Sequence, residues 1–332
     1  MILFYLYMRN LIFVFVFLVA FSSCKLSTSH KQEVVESQII IPAFSADSTY
    51  KFIDDQVSFG ARVPNTEAHD LCAIYLSNKL RSYGAQVIEQ KAILTAFDGT
   101  KLNSVNIIAS YQPELKSRIV LFAHWDNRPW CDHDDDPKNF NTPVLGANDG
   151  ASGVGVLLEI ARQLGKNRSA IGVDLILFDS EDYGAPETVS GDFEDSWCLG
   201  SQYWSKNLHV PNYQAKYGIL LDMVGAYGAT FYKEQISMHY AAHVVDKVWN
   251  TAAKLGFSQF FIDEKMGAIT DDHYYVNKIA NIPTIDIIQY DMNTEHGFGH
   301  YWHTTHDTME NVDKNTLFAV GTTIMNIIYN EK

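Results

Sequence analysis

The sequence predicts an α/β protein: a single domain whose central β-sheet is twisted, mixed and mostly parallel, with helices on both faces. Short and nearly continuous apolar runs, such as residues 119–123, are typical of strands that are buried on both faces of a sheet. These runs alternate with stretches in which apolar residues recur at helical spacing. With 332 residues, 47% of them hydrophobic, the chain can bury a large core. The sequence shows neither an internal repeat nor a second domain.

The order of the elements follows from these two periodicities. A first helix is predicted at residues 45–59, with Asp47 or Ser48 as its N-terminal cap, and a second at residues 65–83. The apolar residues expected on the inner face of the second helix are Leu71, Ile74, Tyr75 and Leu80. The further strands are predicted at residues 85–96, 102–111, 118–123, 173–178, 218–226 and 282–289. The further helices are predicted at residues 154–164, 197–206, 239–255 and 314–328.

The N-terminal residues 1–24 are predicted to be an export signal and not part of the fold. They resemble a bacterial lipoprotein signal, because Arg9 precedes a short apolar run and small residues lead directly to Cys24. We expect Cys24 to be acylated and residues 25–42 to form a polar tether to the folded domain at residues 43–332. Ordinary secretion, with cleavage near the same place, is the alternative. Either way the protein is exported, facing the periplasm or the outside.

The charge of the chain excludes two kinds of partner. The formal net charge is -14, and the sequence contains no basic cluster. Binding to nucleic acid or directly to an anionic membrane would need a Lys/Arg-rich surface. We therefore expect no nucleic-acid partner and contact with a membrane only through the lipid anchor. Separately, we expect a monomer.

Three cysteines remain beyond Cys24, and their spacing does not match a metal site. Cys72 lies in a helical pattern and is predicted to pack in the core. A disulfide between Cys131 and Cys198 is left open, since an oxidising compartment permits one.

A long loop is predicted at residues 127–145. Loops of this length in a compact domain are usually functional or insertions. The loop contains an acid run at residues 132–136, which is typical of a solvated loop tip.

Residue types that bind metals follow the apolar strands. Glu181 and Asp182 end one of these runs, and Asp149 lies at the start of a helix. The other strands lead to His124 and Asp126, to Asp222, and to Trp302 and His303. Because parallel strands bring their carboxyl ends to one edge of a sheet, we expect these side chains to lie together. Carboxylates and histidines without cysteine suit a catalytic zinc site with an open coordination position. The alternative is a chance set of acidic strand ends.

These motifs, in this order, resemble the zinc aminopeptidase superfamily, which also contains the glutaminyl cyclases. The resemblance runs from about Phe59 to the C-terminus. The motifs that carry it are His124-x-Asp126, residues 146–153, Glu181-Asp182, residues 221–225 and residues 303–308. Within the superfamily the chain is most similar to bacterial glutaminyl-peptide cyclotransferases. The features that favour this branch are residues 61–64, the Asp271-Asp272 pair before His273, and Trp302 before the histidine.

The resemblance implies a zinc exopeptidase-like fold and one Zn²⁺ per chain, bound by Asp149, Asp182 and His303. It implies that Glu181 is the general acid/base. It also implies a hydrogen-bond relay at Asp222 and Asp271 and a wall of the substrate pocket at Trp302. Together with Trp302, Trp197 is expected to shield the site from water. Further candidates for binding a second metal or supporting the ligands are His124, Asp126, Asp272 and His273. The sequence departs from the animal cyclases at Asp182, where they carry the longer Glu, and at Asp286, where they carry a histidine.

The implied activity is conversion of the N-terminal glutamine of peptides and proteins to pyroglutamate with release of ammonia. Two alternatives stay open. One is a two-zinc aminopeptidase of the same fold, in which His124 and Asp222 add ligands and Asp149 bridges the metals. The other is a catalytically silent lipoprotein that uses the fold for binding.

Several histidines and tryptophans lie outside this ordered set. The histidines predicted to be ordinary surface or core residues are His133, His209, His239, His243, His296 and His306. The tryptophans predicted to serve packing are Trp125, Trp130, Trp204 and Trp249.

Overall fold

A six-stranded mixed sheet runs through the protein, for which a computed structural model describes residues 40–186, 188–191 and 193–332. The signal, Cys24 and nearly all of the tether lie outside the described residues. The helices are α1 (Ala46–Val57), α2 (Glu67–Ser82), α3 (Ala151–Leu164), α4 (Leu199–Lys206), α5 (Gln235–Lys254), the single turn α6 (Asp272–Tyr275) and α7 (Lys314–Asn330). The strands are β1 (Gln86–Thr95), β2 (Lys101–Tyr111), β3 (Arg118–His124), β4 (Gly172–Phe178), β5 (Gly218–Asp222), β6 (Phe231–Lys233), β7 (Phe261–Lys265) and β8 (Thr284–Ile288).

The strand order in the large sheet is β1-β2-β4-β3-β5-β8. Strands β4, β3, β5 and β8 are parallel, while β1 and β2 are antiparallel additions at one edge. The predicted mixed, mostly parallel sheet is therefore confirmed. The carboxyl ends of the four parallel strands lie along one edge, which is where open α/β sheets place their ligands.

Alternate residues of the central strands pack on opposite faces of the sheet. On one face, Ile119 and Leu121 of β3 join the larger core with residues of α1, α2, α3, α5 and α7. On the other face, Val120 and Phe122 join a smaller core with Trp204 of α4. Helices therefore cover both faces, and the apolar runs of the sequence reflect this double burial. No helix in the described ranges is long and apolar enough to cross a membrane.

The first two helices differ from the prediction in their details. Ser45 caps α1 by accepting a hydrogen bond from Ser48 N, so the expected caps Asp47 and Ser48 were wrong. In α2, Leu71 is 46% and Ile74 58% exposed. The buried face of α2 is instead formed by His69, Cys72, Leu76, Ser77 and Leu80. The sequence did not indicate this face because His69 is polar, and polar residues are usually expected on the exposed side. Its ring is nevertheless buried, since it pairs with Asp179.

Other element boundaries shift by a few residues. Helix α3 begins at Ala151 instead of residue 154, and α5 begins at Gln235 because Glu234 caps it. Strand β5 ends at Asp222, four residues before the predicted end. The small parallel pair β6 and β7 was not predicted, since strands of three and five residues are too short to show a clear alternation.

The cysteines of the described region are free thiols, so the disulfide left open between Cys131 and Cys198 is not formed. Cys198 Sγ instead donates a hydrogen bond to Glu181 Oε1 at 3.3 Å. Cys72 is fully buried in the core, as predicted.

Candidate active site

A cavity of about 330 Å³ opens at the carboxyl edge of the parallel strands. It brings together the residues expected after separate strands. The predicted site residues among its walls are Asp149, Glu181, Asp182, Trp197, Asp222, Asp271, Trp302 and His303. Further walls, which the sequence did not indicate, come from Met223, Ile269, Thr270, Ile288 and Phe298.

Asp149, Asp182 and His303 form one group that could hold a metal ion. His303 Nε2 lies 3.2 Å from Asp182 Oδ1 and 3.6 Å from Asp149 Oδ2. All three side chains are at most 5% exposed. Asp182 Oδ2 is buried and has no hydrogen-bond partner among the described residues. Two carboxylates and an imidazole that converge in this way, with an unsatisfied oxygen, fit a divalent cation.

The protonation of this group also favours a cation. Burial, reinforced by the neighbouring Asp149 carboxylate, raises the pKa of Asp182 well above its usual value. Burial, followed by the positive charge of Arg128, lowers the pKa of His303 well below its usual value, which leaves a neutral imidazole. A bound cation would therefore displace a proton from the carboxylate and find the histidine ready to bind.

His124 builds a second group on the other side of Asp149. His124 Nε2 lies 2.9 Å from Asp149 Oδ1 and 3.2 Å from Asp222 Oδ1. A Cβ atom at Gly150 would lie 2.5 Å from the carbonyl oxygen of His124, so only glycine allows this close approach. The ligands that the two-metal alternative requires are therefore also assembled, with Asp149 shared.

The backbone after β4 delivers Glu181 and Asp182 to the cavity. Asp126 accepts hydrogen bonds from the backbone N–H groups of both residues, at 3.1 and 3.2 Å. Ser180, just before them, has a φ of 57°, a left-handed conformation that is uncommon for a residue with a side chain. Asp126 is thus placed as a support of this turn and does not point at the metal group.

Glu181 lies between the candidate metal group and a cluster of further acids. One of its carboxylate oxygens lies with Cys198 Sγ and an oxygen of Asp271 in a group whose atoms are within 4.8 Å of one another. Burial is the main cause that raises the pKa of Glu181 well above its usual value. The charge of His124 lowers this pKa, while the nearby carboxylates of Asp182 and Asp271 raise it further. Burial likewise raises the pKa of Asp222 to about 7. Such carboxyl groups can hold and release a proton near neutral pH.

The acids continue behind Asp271, away from the cavity. Asp271, His273 and Asp286 offer atoms within 4.8 Å of one another. His273 Nε2 lies 3.2 Å from Glu234 Oε2, and both side chains are fully buried. His273 and the adjacent, fully buried Asp272 do not line the cavity, and neither belongs to the two groups that share Asp149.

Aromatic rings form the walls around His303. The Trp302 ring stacks on the His303 imidazole with centroids 3.7 Å apart, and Phe298 packs against Trp302 at 4.8 Å. Trp197 lies parallel to His303 at 6.0 Å. A Cβ atom at Gly184 would lie 2.0 Å from the Trp197 ring, so this glycine makes room for the wall. The two predicted wall residues are thus both at the cavity.

One prediction about the loop at residues 127–145 was wrong in part. The acid run is not a solvated tip throughout, since Asp134 is 6% exposed and accepts hydrogen bonds from Thr305 N and Oγ1 at 2.9 and 2.7 Å. His133 packs against Trp302, and its Nδ1 lies 3.0 Å from Nε2 of His296. The loop is therefore docked at the mouth of the cavity.

Sequence reasoning also missed Arg128, which is fully buried beneath the site. Its guanidinium pairs with Asp132 at 2.5 Å. The available signal was an arginine two residues after the His124-x-Asp126 motif, followed by an acid four residues later.

Comparison with known proteins gives one family and several close structures. Residues 106–328 match the profile of peptidase family M28. A Zn-dependent exopeptidase from Parabacteroides distasonis is 57% identical, with a TM-score of 0.87 over 88% of this chain and 100% of that chain. Tannerella forsythia glutaminyl cyclase is 58% identical, with a TM-score of 0.87 over 88% and 100%.

A leucine aminopeptidase precursor from Bacteroides thetaiotaomicron is also similar, at 53% identity and a TM-score of 0.86 over 89% of this chain and 100% of that chain. The chain spans only 39% to 62% of the length of the curated relatives that it matches. The similar structures thus include both a glutaminyl cyclase and an aminopeptidase, the two kinds of enzyme that the sequence left open.

Proposed function

This chain belongs to peptidase family M28, and from that premise we propose that it is a glutaminyl cyclase, which converts the N-terminal glutamine of peptides and proteins to pyroglutamate with release of ammonia. The similarity to Tannerella forsythia glutaminyl cyclase, at 58% identity, supports the assignment. The observation in the site that carries it is the position of Asp271 beside Glu181. Aminopeptidases of the superfamily that the sequence resembles usually have serine where this chain has Asp271.

The proposed cofactor is one zinc ion per chain, held by Asp149, Asp182 and His303. The set contains two carboxylates and a neutral imidazole and no thiolate, as in catalytic zinc sites that keep an open position. The unsatisfied Asp182 Oδ2 supports this assignment, because a bound cation would satisfy it. When bound, zinc polarises the side-chain amide carbonyl of the substrate and stabilises negative charge on its oxygen.

Glu181 moves the proton in this scheme. The α-amine nitrogen of the substrate forms a bond to its own side-chain amide carbon, and the bond from that carbon to the amide nitrogen breaks. Glu181 takes a proton from the attacking amine and gives it to the departing nitrogen, which leaves as ammonia. Burial and the adjacent acids raise the pKa of Glu181, so its carboxyl group can act both as base and as acid near neutrality.

The walls of the cavity hold the substrate in a folded pose. Ring closure is favourable when the amine is already placed against the amide carbon, because binding then bears most of the entropic cost. Trp302, Trp197 and Phe298 provide apolar surfaces that enclose the glutamine side chain and limit the entry of water.

Release of ammonia from a Gln-initiated dipeptide tests the proposal. We expect release by the purified protein, loss of activity after treatment with a chelator, and recovery when zinc is returned. Ammonia release that is unaffected by removal of the metal would contradict the proposed role of the zinc site.

One observation favours a second candidate, a two-zinc aminopeptidase. His124, Asp149 and Asp222 are within metal-binding distance of one another, and the Bacteroides thetaiotaomicron relative carries the name leucine aminopeptidase precursor. Two tightly bound metals per chain together with hydrolysis of leucine amide would favour this candidate over the cyclase.

We propose further that the protein acts as a monomer and is anchored to a bacterial membrane by acylated Cys24, which lies outside the described residues. The lipoprotein-like signal at residues 1–24 supports the anchor. Detergent-phase partitioning of the wild-type protein, absent from a Cys24→Ala variant, is the expected result, whereas partitioning of both alike would contradict it.

A further inference from the structure

We propose that Arg128 and Asp132 act together as positioning residues for the metal centre: Arg128 fixes the segment that carries Asp182, and Asp132 orients His303. This inference rests on the zinc site of the proposed function and adds two residues to it. Neither side chain belongs to the candidate ligand groups around Asp149 described above. One ion pair would thus control two of the three metal ligands.

Arg128 holds the segment after Asp182 from below. Its Nη1 donates hydrogen bonds to the carbonyl oxygens of Asp182 and Gly184, both at 3.2 Å. The same nitrogen lies 3.9 Å from Asp182 Oδ1. The Arg128 side chain is only 1% exposed, and its guanidinium carbon lies 4.5 Å from the centre of the Trp197 ring. The guanidinium is therefore enclosed between the Asp182 segment and a wall of the cavity.

Asp132 supplies the countercharge that makes this burial possible. Its two oxygens accept hydrogen bonds from Arg128 Nε at 2.7 Å and from Nη2 at 2.5 Å. Such a two-point contact fixes the plane of the guanidinium as well as its charge. A buried arginine without a partner would be strongly unfavourable, so the position of Asp132 determines that of Arg128.

Asp132 also faces the far side of His303. Its Oδ1 lies 3.7 Å from His303 Nδ1, a little longer than a hydrogen bond. Within the described ranges His303 Nδ1 is buried and has no hydrogen-bond partner. Metal-binding histidines usually donate the N–H of the second ring nitrogen to a carboxylate or carbonyl, which fixes the ring and leaves the other nitrogen free for the metal. Asp132 is the carboxylate placed for this role, on the side of the ring opposite Nε2, which faces Asp149 and Asp182.

The contacts of Arg128 and Asp126 explain how the short side chain of Asp182 can act as a metal ligand. Asp182 has one methylene group fewer than the glutamate of the animal cyclases, so the reach of its carboxylate depends on the position of its backbone. Arg128 fixes that backbone at two carbonyl groups, while Asp126 fixes its N–H. The backbone is thus held on both sides of the Asp182 side chain.

The test is zinc affinity, measured by competition with a chelator on the purified protein, with kcat at saturating zinc measured in parallel. We expect Asp132→Ala to weaken zinc binding by about 10- to 100-fold, the usual effect of removing a carboxylate behind a metal-binding histidine. With zinc in excess, kcat should recover to within a few-fold of the wild-type value. The matched control is Asp135→Ala, which removes an exposed acid of the same loop and should bind zinc like the wild-type protein.

The second variant, for use if Asp132→Ala does not fold, is Arg128→Lys. Lysine keeps the positive charge but cannot bind Asp132 and the two carbonyl groups at once. We expect about a tenfold loss of zinc affinity. If the variants that fold bind zinc within twofold of the wild-type protein, the inference is wrong. Zinc affinity is independent of the reaction catalysed, so a protein that shows these losses but forms no pyroglutamate would refute the proposed function and leave this inference intact.

Discussion

Replacement of Glu181 by glutamine is expected to abolish nearly all turnover while leaving the zinc content unchanged. Glutamine has the same shape but cannot accept and return a proton, and a positioned acid/base contributes about 10²- to 10⁴-fold to a rate. Glu181 is outside the group formed by Asp149, Asp182 and His303, so zinc should still bind. The measurement is kcat for a Gln-initiated dipeptide, together with zinc per chain from elemental analysis.

The control for this variant is Glu310→Gln, which changes an exposed acid far along the chain and should leave both values unchanged. Turnover of Glu181→Gln within a few-fold of the wild-type rate would assign the proton transfer to another residue. A binding protein without catalysis would show no turnover in either form.

Replacement of His303 by alanine is expected to remove the zinc and the activity together. His303 Nε2 faces both carboxylates of the proposed site, so its loss should weaken binding by more than the roughly 100-fold known for residues behind a ligand. Zinc per chain after dialysis and kcat should both fall to near background.

The same variant separates the two candidate metal groups. His124, Asp149 and Asp222 remain intact when His303 is lost. A variant that keeps a full equivalent of zinc would therefore place the metal in that second group, against the proposal. His306→Ala is the matched control, because His306 is exposed and three residues away, and it should retain both metal and activity.

Sequence reasoning located the site because of the topology of the sheet. Parallel strands must end along one edge, and so the acids and histidines after separate apolar runs were expected to meet. The structure places Asp149, Glu181, Asp182, Asp222 and His303 around one cavity. Their order along the chain also identified the superfamily, which the match to peptidase family M28 confirms.

The supporting side chains were not predictable in the same way. Arg128 and Asp132 lie in a long loop, where no periodicity indicates which charges are buried. His69 reads as a polar interruption of a helix, although its pairing with Asp179 determines which face of α2 is inside. Whether Cys198 forms a disulfide or a hydrogen bond to Glu181 depends on its position in space, which sequence spacing alone does not determine.

The most direct test of the central claim is the mass spectrum of one short peptide, with N-terminal glutamine followed by leucine, after incubation with the purified protein. Cyclisation predicts an intact peptide that has lost the mass of ammonia, with no free glutamine. Release of free glutamine and a peptide shortened by one residue would show hydrolysis instead and would contradict the assignment as a glutaminyl cyclase.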